Sequence, residues 1–154
     1  MSLVAGIGGS LTKKGWRLAT GESLTAGLLA ASLTAEPGAS AWFAGGVAAY
    51  TEEAKCALLA VPAATIAEHG VVSAEVALAM AKGAASAYGT EVGVALSGVA
   101  GPGPKGGVQA GLVWLALCLP SGEEQRRLTL RGDRTAIREG AVRAALEALA
   151  EALC

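Results

Sequence analysis

Two hydrophobic periods organise this chain. Trp16–Thr20 (WRLAT) alternates apolar and polar positions, as a strand does. Trp42–Tyr50 (WFAGGVAAY) reads as a second strand, where Gly45 and Gly46 permit a bend or a close backbone approach. Glu91–Leu96 (EVGVAL) is almost wholly apolar, which predicts a strand buried on both faces. Leu112–Leu119 and Glu124–Leu130 flank the tight turn Ser121-Gly122 and predict an antiparallel hairpin.

Helical segments separate these runs. Met1–Lys14 is one, although Gly6, Gly8 and Gly9 weaken it. A second is capped at Gly21 or Ser23 and runs to about Leu33, before Pro37-Gly38 breaks it. Short helices follow at Glu52–Leu59 and at Pro62–His69, the latter closed by Gly70. Ser73 caps a longer helix that reaches about Tyr88. Asp133 caps the last helix, with Ile137, Val142, Leu146 and Leu149 on one stripe. Strands alternating with helices predict an α/β fold: one three-layer α/β/α sandwich domain over residues 1–154. The hairpin makes its sheet mixed.

Composition narrows the function classes. Hydrophobic residues make up 53% of the 154 positions and charged residues 16%, which excludes an unfolded chain. A net charge of −1 gives no electrostatic footprint for nucleic acid, so no nucleic-acid partner is expected. The apolar run Ala110–Leu119 is half of the ~20 residues a membrane span needs, so no membrane partner is expected either. The N-terminus carries no export signal. Cys56, Cys118 and Cys154 are odd in number and widely spaced, which fits a reducing cytoplasm better than a disulfide framework.

Most chemical motifs are missing. With one histidine and no paired cysteines, no metal site is expected. A serine triad would need His69, which ends an exposed helix. Gly101–Gly106 matches G-x-G-x-x-G in letters, but a strand follows it where a dinucleotide fold has a helix. Gly107 stands where a P-loop has lysine, and no cofactor is expected.

What remains is polar residues at strand ends and helix starts: Ser23, Thr25, Tyr50, Lys55 and Ser97. Ligands bind at the carboxyl edge of open α/β sheets. A lysine in an apolar site loses its proton more readily and can serve a serine as base. Each residue also has a plain structural reading: Ser23 as a helix cap, Lys55 as a solvated cation, Glu22 as a complement to a helix dipole, Gly45-Gly46 as a bulge. The residues alone leave both readings open.

Taken together, the stretches resemble a known family. GESLTAGLLAASLT resembles the A-E-S-C-T-G-G signature of the CinA C-terminal domain, the PncC family of nicotinamide-nucleotide amidases. PGASAWFAGGVAAYTEEAKCALLAV, HGVVSAEVALAMAKGA, ALSGVAGPG and LRGDRTAIR follow in the family's order. The resemblance implies hydrolysis of the carboxamide of nicotinamide mononucleotide to nicotinate mononucleotide and ammonia, without a metal, by a homo-oligomer. It implies Ser23 as nucleophile, Lys55 as general base, and Tyr50 as an aid to proton transfer or orientation. Glu22 and Thr25 would orient the site, and an oxyanion hole would come from backbone N–H groups where the Thr25 helix begins. Ser97 and the backbone from Gly98 to Gly101 would bind substrate beside Gly45 and Gly46. Arg134 and Arg138 would take the substrate phosphate or meet a neighbouring subunit.

This chain departs from the pattern at three places. The signature cysteine is Leu24, its first glycine is Ala26, and the family's K-P-V-G reads Val108-Gln109-Ala110-Gly111 after a shortened loop. Lys105 is the nearest candidate for the missing lysine. These departures leave a second expectation beside the amidase: a member that binds a nucleotide or a protein partner without turnover.

Overall fold

The computed structural model describes residues 1–154. Five strands form one mixed sheet in the order β2-β1-β3-β4-β5. They are β1 (Leu18–Glu22), β2 (Phe43–Ala48), β3 (Val92–Gly98), β4 (Leu112–Leu119) and β5 (Gly122–Thr129). β1 pairs in parallel with β2 and β3, whereas β3–β4 and β4–β5 are antiparallel. Helices cover both faces, as the alternation of periods predicts.

One face carries α1 (Leu3–Lys14), α2 (Leu28–Leu33) and α6 (Arg134–Leu153). Ile7, Leu11, Leu18, Leu29, Val94, Leu115 and Leu149 belong to the core beneath them. The other face carries α3 (Glu52–Leu59), α4 (Ala63–His69) and α5 (Ala74–Tyr88). Here the core is built of small side chains, among them Ala19, Ala77, Ala81, Ala84, Ala95 and Ala116. Small residues on both partners bring α5 close to the sheet, so backbone positions at the strand ends are tightly fixed.

Three of the caps follow from local sequence. Thr51, Ser73 and Asp133 each accept a hydrogen bond from the N–H three residues on, at 3.1, 3.2 and 2.9 Å. α1 forms despite its glycines, because Ser2 caps it and Ile7 and Leu11 are fully buried. Two boundaries differ from expectation. β1 begins at Leu18, since this central strand is buried at all five positions and does not alternate. α2 begins at Leu28 and not at Ser23, because residues 24–27 form a turn.

That turn sets the functional edge. The chain leaves β1 to cross on the α2 face and leaves β2 to cross on the α5 face. The strand order therefore reverses at β1, and a crevice opens at its carboxyl end. Ser23, Ala49-Tyr50 and Gly98 stand at that edge, after β1, after β2 and at the end of β3. No helix of the chain is long and apolar enough to cross a membrane.

Candidate active site

Ser23 follows directly on β1, where its N–H donates to Leu96 O of β3 at 3.0 Å. The hydroxyl is therefore carried on sheet backbone, beyond the reach of helix fraying. Lys55 reaches it from the first half of α3, and Nζ lies 2.9 Å from Ser23 Oγ. The lysine is 1% exposed. Nζ also donates to Ala49 O at 2.9 Å and to Tyr50 O at 3.2 Å. Those carbonyls aim the amine at Ser23.

Burial suits this lysine to the role of a base. Desolvation disfavours the ammonium and lowers the Lys55 pKa from its ordinary 10.5 to about 8, with the Lys105 charge lowering it further and Glu52 opposing both. Once Nζ is neutral it keeps two donors for Ala49 O and Tyr50 O. Its lone pair then accepts the Ser23 proton across the same 2.9 Å. The pair has the geometry of a nucleophile with its base.

Glu22 lies on the core side of this centre. Its buried carboxylate accepts from Thr25 Oγ1 at 2.6 Å, Leu29 N at 2.8 Å and Ala30 N at 3.1 Å. Glu22 thus caps α2 from a distance and frees Ser23 from capping. Thr25 is fully buried and ties the turn to that carboxylate. Both residues organise the site from behind.

Two hollows open in front of Ser23 and share Ser23, Tyr50, Gly98, Val99 and Lys105. The larger, about 680 Å³, also holds Lys55, Ser97 and His69. The smaller, about 260 Å³, is walled by Leu24, by Gly98–Lys105 and by Arg134. Lys105 forms no ion pair or side-chain hydrogen bond and faces both hollows as an unpaired cation. Arg134 donates to Gly101 O at 2.6 Å and to the Tyr50 hydroxyl at 3.1 Å, closing one side of the mouth.

Several of the expected residues are held by contacts within the chain. The Tyr50 phenol is half-exposed and held by Arg134, so this residue orients Lys55 through its carbonyl instead. Ser97 lines the larger hollow, but its proton is committed to Val71 O at 3.0 Å. Gly45 and Gly46 touch neither hollow. Their missing side chains admit the Tyr88 ring and Thr20, so the close approach is to the chain's own packing. Arg138 turns inward as well, with Nε 3.0 Å from Leu24 O and Nη2 3.4 Å from Thr25 O. Gly98, Gly101 and Arg134 do line the hollows.

A family model described as the CinA C-terminal domain matches residues 1–153. The chain belongs to the CinA C-terminal domain family. A CinA-like protein of Mycobacterium marinum is 46% identical over 141 residues, 89% of this chain and 33% of the relative. Another from Anaeromyxobacter dehalogenans is 47% identical over 146 residues, 93% of this chain and 35% of the relative. The chain spans about a third of the length of these curated relatives.

Among solved CinA structures, competence damage-inducible protein A of Klebsiella pneumoniae is 39% identical with a TM-score of 0.94, over 98% of this chain and 94% of that one. The competence/damage inducible protein CihA of Agrobacterium tumefaciens is 38% identical with a TM-score of 0.90, over 98% and 93%. The mixed five-stranded α/β sheet is thus the CinA fold. Two departures from the CinA signature fall where the fold absorbs them. Leu24 is 3% exposed and packs in the core. Ala26 is exposed and adopts φ 46°, the left-handed region that suits the family's glycine.

Proposed function

We propose that this chain is a serine-lysine amidohydrolase that converts nicotinamide mononucleotide to nicotinate mononucleotide and ammonia. The observation that carries the reading is the 2.9 Å contact between a serine at a sheet edge and a buried lysine whose pKa falls to about 8. Family membership and the two-lobed hollow support it. A nucleotide has two ends to seat, and the carboxamide goes to Ser23 while the phosphate goes to the Lys105 and Arg134 side.

In this reaction Ser23 Oγ attacks the carboxamide carbon as its proton passes to Lys55 Nζ. The tetrahedral oxyanion is met by backbone N–H groups that follow Ser23. Lys55 returns the proton to the departing nitrogen, ammonia leaves, and an ester on Ser23 remains. Water then attacks that ester with Lys55 again as base, which frees the carboxylate and restores the serine.

The test is incubation of the purified protein with nicotinamide mononucleotide, followed by identification of the products. Stoichiometric ammonia and nicotinate mononucleotide are expected. A nucleotide that raises thermal stability yet stays intact would instead identify a binding protein without turnover.

A further inference from the structure

We infer that Arg138 is a positioning residue for the nucleophile turn, an inference that rests on the amidase reading for its substrate. The family resemblance gives this arginine to the substrate phosphate or to a neighbouring subunit. Its observed contacts lead elsewhere. It lines neither hollow, forms no ion pair, and spends two guanidinium nitrogens on consecutive carbonyls, Leu24 O and Thr25 O.

Those carbonyls belong to the turn immediately after Ser23. Within the turn, Ala26 N donates to Ser23 O at 3.1 Å and Leu28 N donates to Thr25 O at 2.9 Å. The N–H of Leu24, a residue that lines the smaller hollow, donates to no protein atom, whereas Thr25 is fully buried and lines neither hollow. In a planar trans peptide the C=O and N–H point in opposite directions. Arg138 grips Leu24 O, and the other end of that same peptide unit is Thr25 N–H. Holding the carbonyl therefore fixes the plane of that peptide and the path of the chain just after Ser23, where Leu24 lines the smaller hollow.

Arg138 lies one helical turn beyond Arg134 on α6, so one helix start supplies two guanidiniums with different tasks. Arg134 closes the mouth, and Arg138 braces the turn from behind. Ala26 adds the modest strain of a left-handed backbone to this same turn, which the Arg138 contacts help to hold.

The experiment compares wild type, Arg138→Met, Arg138→Lys and Arg134→Met by two readouts. One is kcat and KM for nicotinamide mononucleotide. The other is the second-order rate at which a fluorophosphonate probe labels Ser23, which needs nucleophile and oxyanion donors but no nucleotide. Arg138→Met is expected to lower kcat and the labelling rate by roughly 10- to 100-fold, because it loosens the turn that positions Ser23. KM should stay within about twofold, and Arg138→Lys should recover part of the loss. Arg134→Met should raise KM instead.

Wild-type labelling rates in folded Arg138→Met or Arg138→Lys would overturn the inference. So would a rise in KM at unchanged kcat, which would return Arg138 to the phosphate. If the wild-type protein labels at Ser23 but leaves nicotinamide mononucleotide intact, the substrate reading fails, and slowed labelling in the Arg138 variants still supports the brace. A wild-type protein that does not label at all overturns both.

Discussion

Gly83 of α5 lies directly against the Leu59 carbonyl at the end of α3, so close that a Cβ at Gly83 would collide with that backbone. This crossing sets the distance of α3 from the rest of the fold, and α3 carries Lys55. Gly83→Ala should therefore cost stability, about 1–3 kcal/mol of overpacking, and should also displace the base from Ser23. Gly9 is the internal comparison. It is in the middle of α1 with open space where a Cβ would go, and Gly9→Ala should stabilise by roughly 0.5–1 kcal/mol. Denaturant titrations of the two variants check both signs.

The depressed pKa of Lys55 gives activity a definite pH dependence. The amine must be neutral to accept the serine proton, so kcat/KM should rise with pH and level off above about 8. Stability is linked to the same group. In the unfolded chain the lysine titrates at its ordinary 10.5, in the folded chain near 8. Between those values the unfolded state holds more protons, so folding becomes more favourable as pH rises. The shift corresponds to about 3 kcal/mol. Wild type should gain on Lys55→Met by up to that amount between pH 7 and pH 10.5, measured by chemical denaturation across the range.

Glu22 offers a test of how the site is held from behind. One carboxylate serves a hydroxyl and two N–H groups in a buried setting. Glu22→Ala would strand those N–H groups and should destabilise by about 2–4 kcal/mol. Glu22→Gln retains one acceptor oxygen and should cost about half as much. Thermal unfolding distinguishes the two, and both variants should lower kcat by loosening the turn that bears Ser23.

Much of the fold could be read along the chain because its signals are local. Ser73 and Asp133 cap helices from the adjoining position, the apolar β3 stretch reads as a buried strand, and Ser121-Gly122 marks the hairpin. Signals that act across the fold were not legible. Glu22 reads as a complement to the helix dipole, but nothing near Leu28 indicates that it serves α2 from a strand six residues earlier. The atom of Tyr50 that orients Lys55 is a carbonyl, which every residue type possesses, so no side chain signals it. Gly45 and Gly46 signal close approach correctly, but glycine does not say whether a ligand or the chain itself approaches. Arg138 reads as an anion ligand because an arginine's partner depends on packing, here on how α6 meets the nucleophile turn.

The central claim is that Ser23 carries the acyl group and Lys55 moves its proton. Rapid-quench turnover of nicotinamide mononucleotide, followed by peptide mass spectrometry, tests it most directly. A nicotinate mononucleotide ester is expected on the peptide that contains Ser23, absent from Ser23→Ala and Lys55→Ala, with ammonia release lost in both variants. Ammonia released at the wild-type rate by either variant would contradict it.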